Sequence, residues 1–275
     1  MTIKHEIEIR SLHQTDELEE VRKLEADIWG LADSIPTHQT ITAVKNGGLV
    51  LGAFFKEKLV GFQYSFPGFN GKSAYLCSHT LGTDPAYRNQ GIGEKLKNKQ
   101  REEALKLGYS LITWTYDPLE SINGYLNIGK LGGVCSTYIT NCYGEMEDLL
   151  NSGIPSDRFL VEWHIGPKSP LEKAGELEEA LEQSLIQWEM NEDGLPFPIR
   201  SLPLPDNRDT VYVAIPKDFR SIRSTNLEVG LEWRMKTRDA FSQAFQKGFQ
   251  VNGFLKNSNP ELPVHFYVLT KSQES

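Results

Sequence analysis

The run Arg88-Asn89-Gln90-Gly91-Ile92-Gly93 sets an arginine and two glycines between an apolar stretch and the strongest helical pattern in the chain. A helix N-terminus presents N–H groups with no intrahelical partner and a partial positive charge. Glycines let an anion approach those amides without obstruction, and an arginine adds fixed charge. These residue types suit a cradle for phosphate or pyrophosphate. Two other glycine loops fail on spacing. A dinucleotide-binding G-x-G-x-x-G run would need glycine where Leu96 stands, and no Gly-Lys-[Ser/Thr] follows to make a phosphate loop.

The surrounding elements must hold that turn in place. Ala74 to Thr83 reads as a strand that Asp84-Pro85 ends, and Gly91 to Leu107 as a helix. Ile92, Leu96, Ala104, Leu105 and Leu107 form that helix's apolar face, with Lys95, Lys97, Lys99 and Arg101 outside. Before it, Glu6 to Ser11 is a strand, and Leu12 to Trp29 is a helix with Thr15 or Asp16 as N-cap. A second helix covers Thr37 to Asn46, and the hairpin Leu49 to Phe55 and Leu59 to Phe66 follows. After it come a strand from Leu111 to Thr115, a helix ending near Lys130, and strands Val134 to Thr140 and Phe159 to Ile165. Pro167 to Pro170 marks a boundary, followed by a charged helix from Leu171 to Glu192. Pro196, Pro198, Pro203 and Pro205 make Gly194 to Asp206 a loop. Val211 to Ile215 is a strand. Asn226 to Lys247 is a long helix with Leu227, Leu231, Met235, Phe241 and Phe245 on its apolar side, and strands Phe249 to Leu255 and Val264 to Thr270 close the chain.

Bulk properties narrow the function classes. The chain has 275 residues, 39% hydrophobic and 24% charged, as in an ordinary globular protein. Its net charge of −8 argues against nucleic-acid and anionic-membrane partners, both of which reward a basic surface. The N-terminal residues lack the apolar core of a signal peptide, and no apolar run approaches the ~18 residues of a membrane span. The expected location is the cytoplasm. The three cysteines, Cys77, Cys135 and Cys142, form no C-x-x-C pair, so they read as core thiols and no metal is expected.

The segment Leu81-Gly82-Thr83-Asp84-Pro85-Ala86-Tyr87-Arg88-Asn89-Gln90-Gly91-Ile92-Gly93 resembles the signature of the GNAT superfamily of N-acyltransferases, with Thr83 where valine is usual. The resemblance spans roughly residues 6–166. Ser78-His79, Lys97-x-x-Gln100-Arg101, Trp114-Thr115-Tyr116-Asp117-Pro118-Leu119, Asn127-x-x-Lys130-Leu131-Gly132, Tyr143-Gly144 and Asp157-Arg158 are similar to one poorly characterised branch of it. The resemblance implies an α/β (α+β) fold: a mixed, mostly antiparallel sheet flanked by helices over 6–166, and a smaller α+β region over 171–275. That second region would cover the acceptor site or form an interface, with a homodimer as one arrangement. Acyl-CoA, with acetyl-CoA first, is the implied co-substrate. Arg88, Asn89, Gln90, Gly91, Ile92 and Gly93 would hold its pyrophosphate, and Leu81, Gly82 and Thr83 would pair with the pantetheine arm.

Acyl transfer to an amine needs a proton acceptor, an oxyanion donor and a proton for the leaving thiolate. This chain lacks the glutamate and tyrosine that many members use: Tyr75 to Thr83 holds no carboxylate, and Ile128 occupies the tyrosine position. His79 then becomes the candidate base, with a satisfied structural histidine as the alternative. Tyr143 or Tyr138 is the candidate acid, Asp117 either contacts the amine or caps a helix, and Asn123 and Asn127 are candidate cofactor contacts. Arg234 and Arg238, four apart on one helix, read either as a carboxylate-reading patch or as a solvated face. Three functions fit: acylation of a small-molecule amine such as an amino acid, acetylation of a protein or peptide amine, or CoA binding without catalysis.

Overall fold

The computed structural model describes residues 6–144, 153–166 and 175–271. The chain divides into two compact units. The first holds 6–114 and 164–166, and the second 115–144, 153–163 and 175–271.

In the first unit, strands β1 (Ile7–Ser11), β2 (Leu49–Phe55), β3 (Lys58–Phe69) and β4 (Ala74–Thr83) pair antiparallel in that order, and β5 (Leu111–Tyr116) joins β4 in parallel. Helix α1 (Thr15–Trp29) and helix α2 (Thr37–Lys45) cover one face of this sheet. Leu18, Val21 and Leu24 bury there against Val50, Phe62 and Tyr64. The first cap is Gln14, in a capping box with Glu17, rather than Thr15 or Asp16. Helix α3 (Ile92–Lys106) contacts the same strands. Its buried side is Ile92, Leu96, Lys97, Gln100 and Ala104, while Leu105 and Leu107 are exposed, so the expected apolar face is rotated. The reason is polar satisfaction. Gln63 and Ser65 of β3 and Ser78 of β4 form a buried hydrogen-bonded group that receives Lys97 and Gln100.

Lys97 is the boldest member of that group. Its ammonium donates to Ser78 Oγ at 2.8 Å and stands 3.5 Å from the centre of the Trp114 ring. Burial pulls its pKa from 10.5 down to about 7, opposed by nearby Cys77. The folded protein then binds fewer protons than the unfolded chain between pH 7 and 10.5, so stability rises with pH across that window. Lys97→Met is expected to unfold at a higher temperature than wild type at pH 6 and to lack this rise. Thermal unfolding of both from pH 6 to 10 checks it, and a flat wild-type profile contradicts it.

In the second unit, helix α4 (Ser121–Gly124) runs into a π-helical segment (Tyr125–Lys130) where one continuous helix was expected. Strand β6 (Val134–Ile139) pairs antiparallel with β7 (Arg158–His164) and with β11 (Phe249–Leu255). The latter pairs with β12 (Val264–Lys271), which pairs with β10 (Thr210–Pro216). The mixed, mostly antiparallel sheet arrangement read from sequence is therefore correct.

The expected helix from Leu171 to Glu192 is instead a short helix α5 (Leu177–Gln183) followed by strand β8 (Ile186–Met190); residues 171–174 and the Pro167 to Pro170 boundary lie outside the described residues. Strand β9 (Pro196–Ser201) lies within the expected loop and pairs with β8. A two-stranded ribbon tolerates proline because each strand has an unpaired side. Trp233 anchors it by donating to the Pro196 carbonyl at 2.8 Å. Helix α6 (Phe219–Thr225) precedes the long helix α7 (Leu227–Gln246). The latter buries Trp233, Arg234, Thr237, Phe241 and Ala244, and leaves Leu227 and Met235 exposed, contrary to the expected apolar side. Among the described residues no helix is long and apolar enough to cross a membrane.

Candidate active site

The cradle forms as a backbone feature. Asp84 accepts from the Ala86 amide at 2.9 Å and pairs with Lys58 at 2.8 Å, fixing the turn after β4. Lys58 keeps the Asp84 carboxyl below its ordinary pKa. Asn89 and Gly91 then take the left-handed conformation, with φ of 62° and 77°. Glycine adopts this freely and asparagine readily. The first i→i−4 bond of α3 runs from the Lys95 amide to the Gly91 carbonyl, so helical geometry uses none of the Gly91, Ile92 and Gly93 amides. Arg88 is exposed beside them, with its Nε 3.4 Å from the Thr83 carbonyl. These donors and the αL turn fit a pyrophosphate.

Strand β4 fits the arm of the same molecule. Among the described residues its pairing with β5 is limited to Leu76 and Cys77, while Thr80 to Thr83 pair with β3 on the other edge. The edge of Leu81 and Thr83 facing away from β3 offers backbone groups to an extended ligand. Gly82 has a packing reason as well: a Cβ there would lie 2.6 Å from the Phe62 ring and 2.9 Å from Ile28.

One irregularity in β4 controls which side chains face α1 and α2. Tyr64 pairs with Thr80 and Ser65 with Ser78, so His79 is an extra residue on β4. Ser78 turns toward α3, where Lys97 meets it, while His79 packs edge-on against the rings of Phe66 at 5.6 Å and Tyr64 at 6.1 Å. Those apolar neighbours hold the imidazole below its ordinary pKa of 6.5. His79 nevertheless remains exposed, as a proton acceptor must.

Beside it lies a group the sequence reading missed. Glu25 of α1 is 2% exposed, and its Oε2 accepts from the Ile35 amide at 2.8 Å. Thr80 sits next to the carboxyl and interacts with it, although neither Glu25 Oε1 nor Thr80 Oγ1, both buried, makes a hydrogen bond of normal geometry. Burial raises the Glu25 pKa, opposed by the Ile35 amide. A signal was present: Glu25 falls on the stripe of Leu18, Val21 and Ile28, where a carboxylate is out of place.

The remaining candidates lie in the second unit. Asp117 has both oxygens engaged, one by the Leu119 amide at 2.8 Å and the other by Arg234, with Arg158 3.9 Å away. Tyr143 is exposed. Its hydroxyl is 2.9 Å from Thr115 Oγ1, and Arg158 lies 5.2 Å from its ring centre. Tyr138 donates to Asp157 and is held far above the usual phenol range by burial, which removes it as a proton source. Asn127 is buried in the π-helical segment and Asn123 half-buried in α4. Arg234 and Arg238 are neither a solvated face nor free to read a ligand carboxylate. Arg234 is 1% exposed against Asp117, and Arg238 grips both oxygens of Asp157 at 2.8 Å. Asp117 and Asp157 thus each have their own guanidinium, as charges withdrawn from water require.

A family model described as the acetyltransferase (GNAT) family matches residues 12–126, the stretch that contains β4, the cradle and α3. No curated protein matches the chain. Among solved structures, the chain is similar to the ribosomal-protein-S18-alanine N-acetyltransferase of Escherichia coli, with 17% identity over 62% of this chain and 99% of that one and a TM-score of 0.47. It is also similar to yncA of Salmonella typhimurium, a putative acetyltransferase solved with acetyl-CoA, with 14% identity, 61% and 99% coverage and a TM-score of 0.48. An aminoglycoside acetyltransferase from an uncultured soil metagenomic sample shares 19% identity over 45% and 84%, with a TM-score of 0.38. The signature of residues 81–93, folded into a turn that leaves the first amides of α3 free, lies inside the stretch the family model matches, so residues 12–126 carry an acetyltransferase (GNAT) family domain.

Proposed function

We propose that this protein moves an acetyl group from acetyl-CoA to the amine of a small molecule, such as an amino acid, with His79 as proton acceptor. The observation that supports it best is the combination on β4: an unpaired backbone edge leading to the α3 N-terminus, and a bulge that turns an exposed, weakly basic imidazole toward α1 and α2. In this reading residues 6–166 are the acyl-CoA-binding domain and 171–275 serve the acceptor side. Leu81 and Thr83 bind through their backbones, Gln90 to Gly93 through their amides, and Arg88 adds charge. Tyr143 is the candidate that protonates the thiolate, since its hydroxyl is exposed and bonded only through Thr115 among the described contacts. Neutral His79 accepts the ammonium proton, and the freed amine attacks the thioester carbonyl.

Thiol release from acetyl-CoA, measured with free amino acids, polyamines and short basic peptides, tests this. Turnover is expected with one or more small amines. Release only with peptides moves the acceptor to protein amines, and CoA binding without any turnover indicates a binding protein.

A further inference from the structure

Glu25 is a buried carboxyl without an ion pair among the described residues. Withdrawing such a group from water costs several kcal/mol unless bonds compensate, and Glu25 has one bond of normal geometry, from the Ile35 amide. A leucine at this point of the α1 stripe would fill the same space at lower cost. The position therefore costs stability for a group whose polar neighbours lie on the α1–α2 connection and on β3 and β4 beside His79. Ile35 belongs to the connection between α1 and α2, ten residues on. Thr80 is the β4 residue that follows the extra residue His79. Tyr64, which shares an edge contact with His79, also feels the Glu25 charge and is bonded by Gln39 of α2.

We propose that the Glu25 carboxyl is a positioning group of the acyl-transfer site, fastening the α1–α2 connection at Ile35 and the bulged strand at Thr80 so that His79 is held in its working orientation. This rests on the functional reading above. Glu25 acts through Thr80 and Ile35 and does not itself meet the amine, since its free oxygen is inaccessible. The titratable group that interacts with it is Tyr64 of β3, itself beside Cys77 and His79 of β4, and Arg22 of its own helix lies against Glu19 at 3.8 Å. None supplies a cation to the carboxyl. The neutral form is therefore favoured, and only that form donates a hydrogen bond through its own proton.

Glu25→Gln keeps the acceptor for Ile35 and a donor toward Thr80. Glu25→Leu keeps the volume and loses both. Each is compared with wild type by three measurements. Thiol release from acetyl-CoA, with the best amine of the panel, is expected to fall at least tenfold in kcat in Glu25→Leu and less than threefold in Glu25→Gln, with KM for acetyl-CoA within twofold in both. The NMR titration of His79, identified by its loss in His79→Ala, is expected to move toward 6.5 in Glu25→Leu and to stay in Glu25→Gln. Wild-type stability is expected to fall as pH rises above 4.5, because the folded protein holds the Glu25 proton longer than the unfolded chain; Glu25→Gln lacks this fall. Equal damage in both variants assigns the work to an ionised carboxylate and overturns the proposal, as does an unchanged His79 titration in Glu25→Leu. If wild type releases no thiol with any amine, the functional reading fails, while the titration and the stability profile still decide the role of Glu25.

Discussion

Gly93→Asp is expected to abolish coenzyme A binding while leaving the fold at least as stable as wild type. Residue 93 is the second residue of α3. A carboxylate in the first turn of a helix is favoured by the macrodipole, typically by ~0.3–1 kcal/mol. The same carboxylate would stand where a pyrophosphate must approach the Gly91 to Gly93 amides. Two unit charges 4 Å apart repel by about 4 kcal/mol at the screening typical of a protein surface. A tenfold change in affinity corresponds to ~1.4 kcal/mol, so the loss is at least ~100-fold even after partial relaxation. Calorimetric titration with CoA and thermal unfolding of the same samples check both halves. If Gly93→Asp binds CoA within tenfold of wild type, the pyrophosphate does not lie on this helix terminus. The opposite signs separate a binding effect from a folding effect, which Gly91 substitutions would not do, because φ of 77° strains any side chain placed there.

His79→Ala is expected to lower kcat by about 10²–10³-fold, the contribution of a positioned general base, with CoA affinity unchanged. The side chain is exposed and its backbone is the unpaired bulge residue of β4, so the loss is confined to its edge contacts with Tyr64 and Phe66. The pH dependence sharpens the test. A base works when neutral, so activity falls as pH drops through its pKa, and a histidine held below 6.5 places that acid limb below 6.5. The limb is expected to disappear in His79→Ala, leaving a low and flatter profile. Steady-state rates from pH 5 to 8 decide it. A variant that keeps both the rate and the acid limb shows that the base lies elsewhere.

These two predictions differ in how much the sequence alone could supply. The cradle was legible because its physics is local. A strand that ends at Asp84-Pro85, two glycines and a helix leave unpaired amides at the helix start whatever else surrounds them, and the αL conformation at Gly91 follows from residue type. Strand and helix positions through residue 140 were legible for the same reason, since period and punctuation are short-range signals. The faces were less so. Lys97 and Gln100 looked like solvent-facing residues of α3, yet Ser78 and Ser65, up to 35 residues away in sequence, give them buried partners. Arg234 looked exposed until Asp117 was brought against it. The proline-rich segment looked like a loop because nothing in it reveals the two-stranded ribbon with β8.

The sequence by itself determined the glycine turn with free amides at the start of α3 and the strand that leads to it, because those depend on residue types within a dozen positions. Only the tertiary structure decided what faces the reacting end. Whether His79 points toward α1 or α3 depends on one extra residue in the register of β4 against β3, and a one-residue slip reverses every side chain that follows. The same pairing sets Thr80 beside Glu25, which the sequence left as one acidic residue among many on α1. Register is a long-range property of two strands, so the chemistry of this site was written in the pairing and not in the motif.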